Sequence, residues 1–228
     1  MKTCVIIPVY NEQENISSLI DKIKRMNLDI LVVDDGSQDN TYNIVFRLNV
    51  PILHNEKNQG KGFSLVRGFS YAIEHNFDAV ITMDGDGQHD PNEIPIFLEA
   101  AEHSPSCIFI GNRMYRRNAM PFLRLLTNKF MSYLLSFLVG QHVPDSQCGF
   151  RLIKRELLNK LRLFSHNYEL ESEIILRAGR LGYKIESVPI KCLYGSHGSK
   201  INPFLDTWRF LCFIFKEIFL GNSIGRTY

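Results

Sequence analysis

The sequence lacks several features that define whole classes of protein. Its five cysteines include no C-x-x-C pair, which excludes a zinc ribbon and a disulfide framework and favours a reducing cytosol. Its 26 basic and 24 acidic residues leave a net charge of only +2, which argues against bulk nucleic-acid binding. No period recurs, so collagen-like, coiled-coil and solenoid proteins are excluded. No G-x-G-x-x-G follows the first predicted strand, which disfavours a Rossmann dehydrogenase.

Long uninterrupted apolar runs are also missing. The uncharged segment 130–143 would span about 21 Å as a helix, less than the roughly 30 Å of a bilayer's hydrocarbon core. Segment 204–220 carries four charges that fall within one arc of about 100° on a helical wheel, which leaves a wide apolar face. We expect no secretory leader and no membrane span, and we expect both segments to lie on a membrane, on the core or on a second subunit.

Strand-like and helix-like segments alternate along the chain. Apolar runs predict strands at 3–8, 29–34, 51–54, 78–83, 107–110 and 184–190, and periodic patterns predict helices at 61–75, 92–103, 121–139, 169–181 and after residue 203. Asn11, with Glu14 three residues later, predicts a further helix start with a capping box. The order predicts an α/β fold, a mostly parallel sheet with helices on both faces.

Polar clusters follow four of the predicted strands, at the carboxyl ends where ligands bind on sheets of this kind. The clusters are Asn11-Glu12, Asp34-Asp35, the segment 84–90 and Gly111-Asn112-Arg113. Four strand ends that carry polar groups toward one edge are a stronger indication of a site than any one motif.

The segment 84–90, with the sequence DGDGQHD, carries the most distinctive chemistry. Asp84 and Asp86 can converge on one hard cation, with Gln88 as a further oxygen ligand, and Mg²⁺ or Mn²⁺ then keeps positions for substrate phosphates. A calcium loop is excluded because its sixth position would be His89 and its twelfth Pro95. Taken alone, the segment is equally well explained as a turn that caps the next helix.

A basic stretch follows the fifth predicted strand. No acidic residue lies between Glu102 and Asp145, whereas positions 113, 116, 117, 124 and 129 are basic. Such a patch beside an amphipathic helix suits an anionic membrane surface or a phosphate ligand, and the alternative is a solvated basic face.

Further short motifs complete a pattern. They are PVYNE at 8–12, DDGS at 34–37, NQGKG at 58–62, DGDGQ at 84–88, GNR at 111–113, DSQCGFR at 145–151, YELESE at 168–173 and SK at 199–200. With these motifs in this order, the sequence resembles the family 2 glycosyltransferases of GT-A fold over about residues 3–203, in particular their polyprenyl-phosphate (dolichol-phosphate mannose synthase-like) branch. The resemblance implies a metal-dependent inverting enzyme that transfers a sugar from a UDP- or GDP-sugar to undecaprenyl or dolichyl phosphate.

The resemblance also implies roles for individual residues. Donor-binding residues are Pro8, Tyr10, Glu12, Val33, Asp35, Asp84, Gly85, Asp86 and Lys200, with Asp35 accepting a hydrogen bond from the nucleobase. Asp86 and Gln88 would hold Mg²⁺ or Mn²⁺, Asp84, Asp86 and Arg113 would be catalytic, and Arg113, Arg124 and Asn128 would bind the acceptor phosphate. The chain departs from the family by lacking an arginine shortly before Ser199-Lys200, which leaves Lys200 as the diphosphate clamp. Because a polyprenyl phosphate is already anionic, we expect no dedicated general base.

The expected organisation is a GT-A domain at 1–203, with a nucleotide-sugar-binding half at 1–117 and an acceptor-binding half at 118–203, followed by an amphipathic helix and tail at 204–228. We expect a peripheral protein on the cytoplasmic face of the membrane, with a homo-oligomer or an integral-membrane partner left open. Two alternatives stand beside this function. One is transfer to a sugar hydroxyl in polysaccharide or glycolipid assembly, with Asp145 as base, and the other is a non-catalytic nucleotide-sugar-binding protein.

Overall fold

The structure is a computed structural model that describes residues 1–115, 122–191 and 203–219. Its strands are β1 (Thr3–Val9), β2 (Asp29–Asp34), β3 (Ile52–His54), β4 (Ala79–Thr82), β5 (Ile108–Asn112), β6 (Arg151–Lys154) and β7 (Ile185–Pro189). Its helices are α1 (Ile16–Lys24), α2 (Thr41–Arg47), α3 (Lys61–Glu74), α4 (Ile94–His103), α5 (Phe122–Val139), α6 (Arg155–Leu158), α7 (Glu169–Arg180) and α8 (Pro203–Phe219). Short 3₁₀ turns at Pro91–Glu93 and Arg113–Tyr115 lie before α4 and after β5.

The strands form one seven-stranded sheet in the order β3-β2-β1-β4-β6-β5-β7. Every strand except β6 runs in the same direction, and β6 is antiparallel to both β4 and β5. The predicted α/β fold with a mostly parallel sheet is therefore confirmed. The carboxyl ends of β2, β1, β4 and β5 all lie at one edge of the sheet, which we call the carboxyl edge.

The reversed strand β6 was not predicted, because its four residues are too few to show a pattern. Its reversal has a consequence for the site, since the chain enters β6 from the carboxyl edge. The turn 145–149 before it therefore lies at that edge, where the Thr82 hydroxyl donates to the Gly149 carbonyl at 2.7 Å. The turn brings Asp145 next to the ends of β4 and β5.

The central strands are buried on both faces and form the middle of the core. All seven residues of β1 are buried, as expected for a parallel strand covered by helices on both sides. Helix α3 packs directly on β1, since a Cβ on Gly68 would lie 2.6 Å from Cγ2 of Ile6. This close packing fixes the amino end of α3, and with it Lys61, relative to the carboxyl edge.

The predicted helix start at Asn11 is wrong. Asn11 has φ +54°, a left-handed conformation, and α1 begins only at Ile16. Instead, the Asn11 amide N–H donates to the Ser37 hydroxyl at 2.9 Å, and its side-chain oxygen accepts from the Gln38 N–H at 2.8 Å. Asn11 thus joins the loops that follow β1 and β2.

Helices α5 and α8 cover the second half of the domain. The inner face of α5 buries Asn128, Met131, Ser132 and Leu135, and α8 is held to α7 by Arg177 and Arg180, which both donate to the Glu217 carboxylate. By length and composition, α5 is the one helix among the described residues that is long and apolar enough to cross a membrane. Its buried polar residues, however, are hydrogen-bonded into the domain, so this is weak support for a membrane span.

Candidate active site

The loop at 84–86 packs against the end of β1. A Cβ on Gly85 would lie 2.7 Å from Cγ1 of Val9 and 3.5 Å from both Cγ of Glu12 and the Pro8 carbonyl oxygen. Only a glycine allows this approach, because a Cβ at position 85 would clash with Val9. The approach brings the segment 84–86, which carries two carboxylates, next to the loop 8–12. Three of the predicted donor-binding residues, Pro8, Glu12 and Gly85, are therefore neighbours. Tyr10 lies in the same loop and is partly buried.

Asp35 lies at the end of β2, one strand away from β1. Val33 pairs with Pro8 in the sheet, and the Asp35 amide donates to the Val9 carbonyl at 2.8 Å. The buried Asp35 carboxylate accepts three hydrogen bonds, from Nδ2 of Asn55 at 2.6 Å and from the N–H groups of Gln59 and Gly60 at 2.9 and 2.8 Å. It therefore fixes the loop that precedes α3 as well as bordering the site.

Lys61, the first residue of α3, bridges two carboxylates. Its Nζ lies 2.5 Å from Oδ1 of Asp84 and 2.7 Å from Oε1 of Glu171 on α7. Burial raises the pKa of Asp84, but the Lys61 ammonium outweighs that effect and holds this pKa below its ordinary value. A Cβ on Gly149 would lie 2.8 Å from Oδ2 of Asp84 and 2.9 Å from Nζ of Lys61, so the turn before β6 closes over this ion cluster.

Asp86 and Gln88 carry the donor set for a divalent cation. Oδ1 of Asp86 accepts from the Gln88 N–H at 3.0 Å, and Oδ2 accepts no hydrogen bond from the residues that the structure describes. Burial and the neighbouring Asp84 carboxylate raise the pKa of Asp86, and a cation at this carboxylate would offset both effects. In residues 1–115, 122–191 and 203–219, no group of three or more His, Cys, Asp or Glu side chains could hold a metal ion by itself. This donor set fits Mg²⁺ or Mn²⁺, which commonly binds one or two carboxylates together with substrate phosphates.

The buried His89 lies among the charges of the site. Its Nδ1 accepts from the Asp84 N–H at 3.3 Å, and its ring packs on Phe150 with 5.3 Å between centroids. Burial lowers the pKa of His89 to about 4, although the carboxylates of Asp84 and Asp145 oppose this shift and Arg113 and Lys61 favour it. His89 is therefore neutral at pH 7, and it is within electrostatic reach of both the donor-side and the acceptor-side clusters.

Arg113 and Asn128 converge on Asp145. The Arg113 guanidinium donates to both oxygens of Asp145, from Nε at 2.8 Å and from Nη2 at 2.9 Å, and its amide donates at 3.1 Å. Nδ2 of Asn128 donates to Oδ1 at 2.9 Å. Burial raises the pKa of Asp145, but Arg113 outweighs it and holds this pKa below its ordinary value. The charge of Arg113 is thus compensated by Asp145.

The remaining predicted acceptor residue, Arg124, lies one turn before Asn128 on α5 and is partly buried. Among the side chains that the structure describes, none forms an ion pair with Arg124. The predicted diphosphate clamp, Lys200, lies outside the described residues.

Arg151 holds the two sides of the site together. Its guanidinium is completely buried and donates to three carbonyl oxygens, those of Cys148 at 2.7 Å, Ser146 at 2.8 Å and Glu171 at 2.6 Å. It therefore joins the turn that carries Asp145 to the first turn of α7, which carries the partner of Lys61.

Sequence reasoning found most of the positions at this edge but not their pairings. Lys61 and Glu171 each stood in a motif, yet their contact across 110 residues leaves no local signal. Glu169, Glu171 and Glu173 lie on α7, where helical spacing turns them in different directions. Glu171 faces Lys61, whereas Glu173 accepts from the N–H groups of Phe164 and Ser165.

The sequence is similar to those of known glycosyltransferases. Residues 4–162 match the family described as glycosyl transferase family 2. The chain is 31% identical over 213 residues to the UDP-N-acetylglucosamine–dolichyl-phosphate N-acetylglucosaminyltransferase of Methanococcus voltae, with 83% of this chain and 85% of that protein covered. It is 30% identical over 203 residues to the polyprenol monophosphomannose synthase of Mycolicibacterium smegmatis, with 83% and 76% covered.

The fold is similar to that of a solved glycosyltransferase. Glucosyl-3-phosphoglycerate synthase from Mycobacterium tuberculosis, in complex with Mn²⁺, uridine diphosphate and phosphoglyceric acid, superposes with a TM-score of 0.76. The match covers 94% of this chain and 78% of that one at 21% identity, so it concerns the fold alone. The expected GT-A fold is confirmed. The chain therefore belongs to glycosyl transferase family 2, in the polyprenyl-phosphate branch that its motifs indicate, and it is an enzyme that transfers sugars.

Proposed function

We propose that this enzyme transfers a sugar from a nucleotide-sugar donor to a polyprenyl phosphate, with a divalent cation, at the cytoplasmic face of a membrane. The observation that carries the proposal is the convergence of two polar clusters at the carboxyl edge. The donor-side cluster is built on Asp84 and Asp86, and the acceptor-side cluster on Arg113, Asn128 and Asp145. The turn 145–149, which carries Asp145, connects the two, since a Cβ on Gly149 would lie 2.8 Å from Oδ2 of Asp84.

On the donor side, Asp86 and Gln88 would hold Mg²⁺ or Mn²⁺, which would neutralise the charge that develops on the departing nucleoside diphosphate. Lys61 holds Asp84 in place and reduces the repulsion between the Asp84 and Asp86 carboxylates. A nucleotide-sugar donor is supported by the name of the Methanococcus voltae relative and by the uridine diphosphate in the solved structure of similar fold.

On the acceptor side, a lipid phosphate would meet Arg113, whose charge Asp145 compensates, and Arg124, which forms no ion pair with the described side chains. Because Asp145 cancels the charge of Arg113, we assign the net attraction for the phosphate to Arg124 and its orientation to the more rigid Arg113. The alternative acceptor, a sugar hydroxyl, needs a general base within reach of the hydroxyl proton. Asp145, the best candidate, is buried and its carboxylate already accepts four hydrogen bonds, so its geometry favours the phosphate acceptor.

A continuous apolar stripe on the outer face of α5 supports the membrane location. Phe122, Leu126, Phe130, Tyr133 and Phe137 recur at helical spacing, are 47% to 79% exposed and extend over about 22 Å. Helix α8 adds three exposed apolar side chains, Trp208, Leu211 and Phe215.

Among the side chains of α5 and α8 that the structure describes, the exposed charged ones are basic. They are Lys129 on α5 and Arg209 and Lys216 on α8, whereas Glu217 faces inward to its arginine partners. An apolar stripe with a basic margin is typical of a surface that lies on an anionic bilayer. This pattern supports the proposal that α5 and α8 lie in the membrane interface.

A transfer assay tests the function. The full chain is incubated with Mn²⁺ or Mg²⁺, undecaprenyl or dolichyl phosphate and a panel of UDP- and GDP-sugars, and lipid-linked sugar is measured. We expect product with at least one donor, and a loss of about a hundredfold or more in Asp86→Ala, because metal stabilisation of the leaving group contributes several kcal/mol. If no donor gives a lipid-linked product but a sugar hydroxyl is glycosylated, the acceptor is a hydroxyl and not a lipid phosphate. Donor binding without any transfer would favour the non-catalytic alternative.

Sedimentation with lipid vesicles tests the location separately. We expect the protein to bind vesicles that contain phosphatidylglycerol and to bind pure phosphatidylcholine more weakly. Tyr133→Glu with Phe137→Glu should abolish binding. The matched control is Phe46→Glu, because Phe46 is 65% exposed but lies on α2. If the double variant instead converts a dimer to a monomer and vesicle binding is unaffected, the stripe is a subunit interface.

A further inference from the structure

A chain of hydrogen bonds leads from the buried Asp145 carboxylate to the side chain of Gln147. Nδ2 of Asn128 donates to Asp145 at 2.9 Å, and Oδ1 of Asn128 accepts from the Ser132 hydroxyl at 3.1 Å. Oγ of Ser132 lies 3.1 Å from Oγ of Ser146 and also accepts from the Ser146 N–H at 2.9 Å. At the end of the chain, Nε2 of Gln147 donates to Oγ of Ser146 at 3.2 Å.

The carboxylate of Asp145 sets the direction of each hydrogen bond in this chain. An ionised carboxylate only accepts, so the NH₂ group of Asn128 must face it and the amide oxygen of Asn128 must face Ser132. Because the one hydroxyl proton of Ser132 goes to that oxygen, the contact between the two serines is made by the proton of Ser146. Oγ of Ser146 can then only accept, which requires the NH₂ group of Gln147 to face it. The orientation of the Gln147 amide is thus fixed by the protein.

The other end of this amide, Oε1 of Gln147, is available to a ligand. The NH₂ group is occupied by Ser146 and by the Ser172 hydroxyl, which lies at 3.4 Å, whereas no residue in the described parts of the chain donates to Oε1. The side chain is only partly buried, and Oε1 is in contact with solvent. Oε1 is therefore a hydrogen-bond acceptor that is oriented before any ligand binds.

Gln147 lies between the two clusters of the site. Two residues before it, Asp145 binds Arg113, and two residues after it, Gly149 packs against Asp84. Two residues of chain span at most about 7 Å, so Gln147 is near both clusters. In the proposed reaction the sugar lies between the donor diphosphate on one side and the acceptor phosphate on the other, and it must therefore occupy the space between these clusters. This step rests on the proposed function.

We infer that Gln147 contacts the transferred sugar and selects for a hydroxyl group at one position of that sugar. The phosphates on either side of the sugar are ionised and offer acceptor oxygens, which do not pair with an amide oxygen. The hydroxyls of the sugar are the donors in this space. A sugar that lacks the matching hydroxyl leaves Oε1 unpaired, and rotating the amide would break its bond to Ser146. Gln147 therefore contributes to the choice of the sugar and not to the choice of the nucleotide.

Donor analogues test this contact. The donor with the highest turnover in the transfer assay is compared with its analogues that each lack one sugar hydroxyl. With the wild type, we expect at least one analogue to lose about threefold or more in kcat/KM, and in Gln147→Met the loss for one analogue should disappear. The matched control is the affinity for the corresponding nucleoside diphosphate with Mn²⁺, measured by calorimetry. It should be equal in both proteins, because this ligand carries no sugar.

The possible results separate this assignment from the proposed function. If Gln147→Met transfers sugar with the wild-type ratios for all analogues, the assignment is wrong and the proposed sugar transfer stands. If the variant binds the nucleoside diphosphate with Mn²⁺ more weakly, Oε1 contacts the cation rather than the sugar, which also overturns the assignment. If the wild type turns over no donor, the proposed function and the assignment fail together.

Two serine variants test the cause of the fixed orientation. Ser146→Ala removes the acceptor that orients the Gln147 amide, so the preference for the matching hydroxyl should fall about twofold or more. Ser172→Ala is the matched control, because it removes the more distant acceptor and leaves the chain to Asp145 intact, and it should keep the wild-type preference. An unchanged preference in a folded Ser146→Ala protein contradicts the inference. If Gln147→Met does not fold, the two serine variants decide the assignment by the same ratios.

Discussion

Replacing Asp145 by asparagine should both destabilise the protein and weaken its acceptor site. Asp145 is 1% exposed and its carboxylate accepts four hydrogen bonds, three from Arg113 and one from Asn128. The amide of an asparagine would turn an NH₂ group toward these donors and remove the carboxylate charge that compensates the buried Arg113 guanidinium. Breaking a buried ion pair by removing one partner costs about 3–5 kcal/mol. We therefore expect the free energy of unfolding to fall by about that amount, a large share of the total of about 5–15 kcal/mol.

The pH dependence of this loss follows from the pKa of Asp145. Because Arg113 holds this pKa in the folded protein below its ordinary value of 3.8, ionised Asp145 stabilises the fold above that value. The contribution is lost as the pH falls below 3.8 toward the folded pKa. The difference in stability between wild type and Asp145→Asn should therefore be constant from about pH 8 to pH 5 and shrink below about pH 4.

Urea unfolding of both proteins across this pH range measures the effect. The variant Arg113→Met and the double variant Arg113→Met with Asp145→Leu complete a double-mutant cycle. We expect the double variant to be more stable than the sum of the single losses predicts, because no buried charge is left unpaired. A loss below about 1 kcal/mol at pH 7, or a difference that does not change down to pH 3, would refute the reasoning, since the pair would then behave as an exposed one.

Three further predictions concern the rest of the site. Lys61→Met removes the cation between the Asp84 and Glu171 carboxylates, so the free energy of unfolding, measured with urea, should fall by about 3 kcal/mol. The control is Lys57→Met, at an exposed lysine, which should leave the free energy of unfolding unchanged. Gly149→Ala places a methyl group against Asp84 and Lys61 and should lower the transfer rate at least tenfold. A wild-type circular dichroism spectrum would show that the variant is folded, and full activity would contradict the close approach. Burial raises the pKa of the Cys148 thiol to about 12, so iodoacetamide at pH 8 should modify the exposed Cys212 and leave Cys148 unmodified. Mass spectrometry measures both modifications, and rapid labelling of Cys148 would contradict its burial.

The sequence predicted the parts of the fold whose signal is local. The buried strands β1, β2 and β4 are apolar runs with polar residues directly after them, and the helices 169–181 and 121–139 show clear periodicity. Strand β6 was missed because four residues carry no pattern, and its reversed direction depends on the sheet around it. The helix start at Asn11 failed because a residue suited to a cap also tolerates the left-handed conformation that the loop requires.

The candidate site likewise contains residues that the sequence locates and partners that it does not. Asp84, Asp86 and Arg113 could be located from motifs that follow strands, because the ends of parallel strands meet at one edge. Their partners could not be located, since Glu171 approaches Lys61 from a helix more than a hundred residues away. The role of Asp145 as the partner of Arg113 depends equally on the reversal of β6. Sequence alone therefore indicates where the chemistry lies, and the tertiary structure determines which charges remain uncompensated there.

Anomalous diffraction from crystals grown with Mn²⁺ and UDP tests the central claim most directly, because it locates the cation independently of activity. We predict an anomalous peak between the Asp86 carboxylate and the diphosphate of the nucleotide at the carboxyl edge, and no such peak in Asp86→Ala. A nucleotide bound away from this edge, or a manganese ion with no contact to Asp86, would contradict the account.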